Sequence, residues 1–193
     1  MTVDNALKKY SEHYQFLNVP GIADSGETHW QTNWENSFPE IKRVIQKDWV
    51  RPDREVWLKN LESSIQKNNE KSIILISHSL GGGTIIHADY LNKLNGVKGI
   101  FMVALPDIER EDFPKECSGF VPMPRRKLSI PGVMVSSEND EWCTIEVAEK
   151  WSASLVIPLI NIGKKQHICG AEEFETWEEG KKLLVKFLDS LDN

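Results

Sequence analysis

Ile73-Ile74-Leu75-Ile76-Ser77-His78-Ser79-Leu80-Gly81-Gly82-Gly83-Thr84 is the stretch on which the fold turns. Four consecutive aliphatic residues predict a short apolar strand. The glycines after it predict a sharp turn, with a helix following from Thr84 to Leu94. Ser79 stands in that turn with small residues two before it and two after it (Ser77 and Gly81). This is the spacing of G-x-S-x-G, where the backbone doubles back so tightly that larger side chains would strike the adjoining strand and helix. Ser77 replaces the usual first glycine and is small enough for the turn. Three glycines within a helix would cost roughly 1 kcal/mol each, an expense that close packing of helix on strand would offset. A serine that merely caps the helix is the plainer alternative. A phosphate-binding loop is also strand, glycine-rich turn and helix. It would need the lysine of G-x-x-x-x-G-K-[ST], which is missing, and Ile86 stands where G-x-G-x-x-G requires its third glycine.

Outward from this turn, short apolar runs alternate with amphipathic stretches, the pattern of an α/β protein with a mostly parallel central sheet flanked by helices on both faces. Strands are predicted at Tyr14–Val19, Ile41–Ile45, Ile73–Ile76, Ile100–Ala104, Val133–Val135 and Leu155–Leu159. Pro158 cannot donate a ladder hydrogen bond, so the last of these belongs near the sheet edge. Trp57, Leu61 and Ile65 share one helix face, as do Leu184, Phe187, Leu188 and Leu191. No repeat or linker divides the chain, and residues 1–193 are expected to form a single domain. From Pro106 to about residue 128, prolines and charges alternate without periodicity. That segment is either a lid over the site or a plain surface loop.

The 193 residues carry a net charge of -6, which argues against a nucleic-acid or anionic-membrane partner. The amino terminus lacks a signal-peptide core and no apolar run is long enough to span a membrane. Three dispersed cysteines, Cys117, Cys143 and Cys169, suit neither a disulfide framework nor a zinc site. A cytoplasmic protein without metal or organic cofactor is expected.

A serine hydroxyl needs a base, and the base an orienting carboxylate. In α/β-hydrolases these follow in the order serine, acid, histidine. His87 and His167 follow Ser79; His87 falls on the helix after the turn, read as a partly exposed residue. His167 lies in the polar loop Gly163 to Gly170, at the sheet edge where the turn also opens. It is the candidate base. Val133–Val135 ends in Ser136-Ser137-Glu138-Asn139-Asp140, which offers Asp140 or Glu138 as the acid, and Asp107 after the preceding strand is a third choice. The N–H of Leu80 would be the first oxyanion donor. The loop from Pro20 to Gly26, with Gly21 free to bend, would supply the N–H of Ile22 as the second.

With these residues placed, the chain resembles the retinoblastoma-binding protein 9-like serine hydrolases, nearly end to end. The carriers are Pro20-Gly21, Ser25-Gly26, His29-Trp30-Gln31, Trp34-Glu35, Asp48-Trp49, Arg51-Pro52, His78-Ser79-Leu80-Gly81, Pro106-Asp107, Phe113-Pro114, Pro124-Arg125-Arg126, Ser136 to Asp140 and His167-Ile168. The resemblance implies a minimal α/β-hydrolase fold and a triad that falls on Ser79, Asp140 and His167, favouring Asp140 over Asp107. Two positions depart from the family pattern: Gly82, where a larger residue or cysteine is expected, and Gln166, where glycine is common. The expected activity is hydrolysis of a small-molecule ester or amide through an acyl-enzyme. The rival is a catalytically weak module that binds a protein or ligand, with Trp30, Trp34, Trp49 and Trp57 as an aromatic face unless they are core. Phe120 to Pro124 is a candidate apolar pocket wall.

Overall fold

The computed structural model describes residues 2–169 and 174–192; Gly170, the end of the histidine loop, lies outside them. The chain runs α1 (Val3–Tyr10), β1 (Tyr14–Val19), α2 (Trp30–Ser37), β2 (Ile41–Arg43), α3 (Arg54–Lys67), β3 (Ser72–His78), α4 (Leu80–Tyr90), β4 (Val97–Val103), β5 (Gly132–Ser136), α5 (Ile145–Leu155), β6 (Leu159–Asn161) and α6 (Glu178–Leu191). The six strands lie in the order β2-β1-β3-β4-β5-β6 and every neighbouring pair is parallel.

A parallel sheet needs crossover helices, and these bury both of its faces. Because side chains alternate along a strand, each strand feeds two cores. Leu17, Ile73, Leu75, Ile100, Met102 and Met134 pack with Trp57, Leu61, Ile85 and Trp151 from α3, α4 and α5. Phe16, Ile74, Ile76, Phe101, Val103 and Val135 pack with Leu7, Trp30, Trp34, Leu184 and Leu188 from α1, α2 and α6. The continuous aliphatic run at 73–76 is thus a central strand divided between two cores. The tryptophans are divided likewise: Trp30 and Trp34 on one side, Trp57 with the half-buried Trp49 on the other. They do not form one aromatic face.

Three sequence expectations are corrected. The helix after the serine begins at Leu80, not Thr84, so all three glycines lie inside it. A Cβ at Gly81 would stand 2.0 Å from the Val19 carbonyl oxygen, and this close seating of α4 on β1 is what the glycines make available. Second, Leu155 ends α5 instead of starting a strand, because Ala148, Trp151 and Leu155 form that helix's buried face. The strand begins at Leu159, after Pro158, and is an edge strand. Third, His87 is buried, and its Nε2–H donates to the Phe120 carbonyl at 2.8 Å.

Between β4 and β5 the chain forms no helix or strand. It is nonetheless anchored: Phe113, Phe120, Met123 and Leu128 are buried in the core beneath α4. The Ser118 N–H also donates to the Pro52 carbonyl at 2.8 Å.

Candidate active site

After β1 the chain adds β2 on one side and then crosses to place β3 on the other. Loops leaving the carboxyl ends of β1 and β3 therefore part in opposite directions and open a crevice, the usual ligand position in such sheets. Ser79 stands there, directly after β3, with φ 53° and ψ −130°. That left-handed conformation is strained for any residue with a Cβ, and it is held by the Ser79 N–H donating to Val103 O (3.0 Å) and by Ser79 O accepting from the Gly82 N–H (2.9 Å).

Ser79 Oγ lies 2.9 Å from His167 Nε2, and His167 Nδ1 lies 2.9 Å from both carboxylate oxygens of Asp140. A carboxylate only accepts, so Nδ1 carries the proton and Nε2 is free to accept from the serine. Asp140 is itself oriented by the Trp142 N–H, which donates to its Oδ1 at 2.8 Å. The structure therefore brings Ser79, His167 and Asp140 together. Of the other two acids, Glu138 is exposed and accepts from Asn161 Nδ2 at 3.2 Å; Asp107, half-buried, donates its N–H to the Trp142 carbonyl.

The loops bearing acid and base are stitched to each other. The Glu138 N–H donates to Gly163 O (2.9 Å), Lys165 N–H to Ser137 Oγ (2.8 Å) and Gln166 N–H to Asn139 Oδ1 (2.9 Å). Gln166 has φ 49°, which explains why glycine suits this position and why the amide anchor matters when a larger residue takes it.

Gly21 packs against the serine: a Cβ there would lie 2.7 Å from Ser79 Cβ and 3.1 Å from Leu80 N. The Pro20–Ile22 loop therefore sits beside the start of α4, whose first N–H groups have no intrahelical acceptor. Gly82 faces Met102 and Leu105, with a Cβ position 3.0 Å from Leu105 Cδ1, so this departure from the family pattern is filled by core side chains.

A cavity of about 260 Å³ opens over Ser79, lined by the apolar Ile22, Pro106, Phe113, Pro114 and Trp142 and by the polar Asp24, His29, His78 and Cys169. Phe120 and Met123 are core residues and do not line it. Burial pushes the Cys169 thiol up, which keeps it protonated beside the serine. His29, His78 and Cys169 bring ligand-type atoms within 4.8 Å of one another. His29 Nδ1, however, accepts from the Gln31 N–H at 3.1 Å. Its proton therefore sits on Nε2, the atom that would have to face an ion, and the trio is ill-suited to a metal. His29 is held down to about 3, first by burial and then by the charges of Arg43 and His167.

Sequence reasoning missed His78, Trp142 and Cys169 as site residues. His78 and Cys169 are one and two positions from Ser79 and His167, and only the fold turns those neighbours inward.

Parallel sheet, crossover helices and a serine on a strained turn at the switch point define an α/β-hydrolase. The chain belongs to the serine hydrolase family, whose profile matches residues 16–186. Among solved structures it is similar to a YdeN-like hydrolase from Pectobacterium atrosepticum, with 28% identity over 98% of each chain and a TM-score of 0.87. It shares its fold with the ydeN gene product of B. subtilis, at 17% identity over 92% of this chain and 99% of that one, with a TM-score of 0.70. It also shares it with an esterase domain from Rhodothermus marinus, at 14% identity, 89% and 84% coverage, and a TM-score of 0.63. No curated protein matches the chain. Among the described residues no helix is long and apolar enough to cross a membrane.

Proposed function

We propose that this hydrolase cleaves small carboxylic esters or related amides through an acyl-enzyme on Ser79. The observation that carries the reading is the unbroken chain from Asp140 through His167 to Ser79 Oγ, with both links at 2.9 Å. Ser79 Oγ attacks the substrate carbonyl carbon while its proton passes to His167 Nε2. Asp140 holds the imidazole tautomer and stabilises the imidazolium. The N–H groups of Leu80 and Ile22 receive the oxyanion, Leu80 from the helix start and Ile22 from the loop that Gly21 brings against the serine. The imidazolium returns its proton to the leaving oxygen or nitrogen. Water, deprotonated by the same imidazole, then attacks the acyl carbon and frees Ser79. The cavity is at the small end of ligand sites, and its wall of Ile22, Phe113, Trp142 and prolines suits an uncharged acyl group.

A fluorophosphonate probe, with the adduct located by peptide mass spectrometry, tests the reading. Stoichiometric labelling of Ser79, lost in His167→Ala, is the expected result. Ser79→Ala should lower turnover of p-nitrophenyl acetate by about three orders of magnitude or more at unchanged stability. A folded protein that labels elsewhere, or a Ser79→Ala variant with normal turnover, overturns it.

A further inference from the structure

His78 and Trp30 have no role in the chemistry above, yet both reach the backbone of the loop that carries His167. His78 Nε2 lies 2.9 Å from the His167 carbonyl oxygen. A carbonyl only accepts, so Nε2 bears the proton and His78 is the donor. His78 is buried, and burial together with neighbouring His29 and His167 holds it well below its usual range, so the ring is neutral with its one proton on Nε2. Trp30 Nε1–H donates to the next carbonyl, Ile168 O, at 3.0 Å. Trp34 Nε1–H reaches Thr176 O at 2.8 Å.

These bonds fall where the backbone most needs them. Ile168 has φ 53°, a conformation that β-branched residues avoid and that costs on the order of 1–3 kcal/mol. Such strain persists only where the surroundings fix it. Lys165 and Gln166 are tied to the acid loop, and the next two carbonyls are tied to β3 and α2. His167 thus sits between two sets of anchors. The anchor on the far side is the residue directly before the nucleophile, so one short piece of chain sets both ends of the Ser79–His167 hydrogen bond.

We propose that His78 and Trp30 are positioning residues for the general base: their N–H donors clamp the His167 and Ile168 carbonyls and hold the imidazole on the line between Asp140 and Ser79. The inference rests on the assignment of Ser79 and His167 given above. A displacement of the base by about 1 Å is worth about a hundredfold in rate, and both reacting partners remain present, so the loss falls in kcat.

The test compares His78→Leu, which keeps the volume and removes the donor, with His78→Gln, whose amide N–H can take the place of Nε2–H. Trp30→Phe removes the second donor and keeps an aromatic ring. His78→Leu is expected to lower kcat for p-nitrophenyl acetate and the rate of fluorophosphonate labelling about 10- to 100-fold, with KM within about twofold. His78→Gln should recover most of the loss, and Trp30→Phe should show a smaller loss of the same kind. An activity-independent readout is the far-downfield NMR resonance of the His167 Nδ1 proton, recorded in a Ser79→Ala background. It should broaden or vanish in His78→Leu and return in His78→Gln. An unchanged resonance and labelling rate in His78→Leu overturn the proposal, as does a loss in His78→Gln equal to that in His78→Leu. If the wild type fails to label while the resonance responds as expected, the clamp stands and the nucleophile assignment falls.

Discussion

Alanine at Gly81 and alanine at Gly82 should have opposite consequences, although the two residues are adjacent in one helix. In both cases replacing a helical glycine is worth up to about 1 kcal/mol in propensity. At Gly81 the new Cβ would lie 2.0 Å from Val19 O and 2.8 Å from both Pro20 O and Val19 C. Carbon and carbonyl oxygen rest at about 3.3 Å or more, so α4 and the β1 end must separate by roughly 1.3 Å. The atoms in the way are backbone on the central sheet, which cannot rotate aside. Overpacking of this kind costs roughly 1–3 kcal/mol, so Gly81→Ala should lose up to about 2 kcal/mol net. The larger effect is catalytic. The separation moves Ile22 and Gly21 away from Ser79 and Leu80, and a shift near 1 Å is worth about a hundredfold in kcat. At Gly82 the obstacles are Leu105 Cδ1 at 3.0 Å and Met102 Cγ at 3.1 Å, ends of flexible side chains. Gly82→Ala should be within about 1 kcal/mol of the wild type and fully active. Urea melts and turnover of p-nitrophenyl acetate measure both quantities. A Gly81→Ala protein with normal turnover would refute the close approach of loop and helix on which the oxyanion assignment depends.

Two further perturbations follow from buried charge. His29 is held down to about 3 in the folded protein against 6.5 when free. Between those values the unfolded chain binds the extra proton, so stability falls with falling pH by up to about 1.4 kcal/mol per unit from this group alone. His78 acts in the same direction. Urea melts at pH 7 and pH 5 should show the slope, and His29→Asn, which keeps an N-cap acceptor, should reduce it; a slope the substitution leaves unaltered would contradict the assignment. Arg43 bonds Glu35 (3.0 Å), Asp24 (2.9 Å) and the Ser25 carbonyl (3.0 Å), tying the loop after β1 to α2. Arg43→Met leaves these acceptors half-buried without their cation and should cost about 3 kcal/mol in a urea melt, with turnover falling as the loop loosens. A loss under about 0.5 kcal/mol would mean that the pair is solvent-compensated.

The parts legible in the sequence were those with one dominant cause. An aliphatic run between polar segments has few places to go, and β1 was read to the residue, ending where Pro20-Gly21 begins the loop. Ser79, His167 and Asp140 were singled out from chain order and from the strand ends that bear them, with the family resemblance favouring Asp140 over its rivals, and the structure places the three in hydrogen-bond contact. Misreadings arose where two local rules compete. Glycine propensity argued against a helix at 81–83, and tertiary packing against Val19 overrode it. Leu155 to Leu159 looks like a strand by composition, but Trp151 and Leu155 share a helical face four residues apart, and Val156 closes that helix at φ 56°. Burial of His87 was invisible because its partner, the Phe120 carbonyl, lies 33 residues away in an irregular segment. The site residues missed were likewise near neighbours of catalytic candidates, whose direction depends on backbone twists at Ser79 and Ile168.

Trp30 and Ile168 are 138 residues apart in the chain, and Trp34 and Thr176 are 142 apart. The loop bearing His167, the proposed base, thus comes from the last third of the polypeptide and is held by Trp30 from the first third and His78 from the middle. On the proposed mechanism, a chain still being synthesised that holds β1, β3 and the serine turn carries Ser79 without the histidine that would activate it. Competence arrives only when the late segment closes across the finished sheet. If the triad is as proposed, turnover would work as a completeness signal, a truncated or half-folded copy being expected to stay chemically silent.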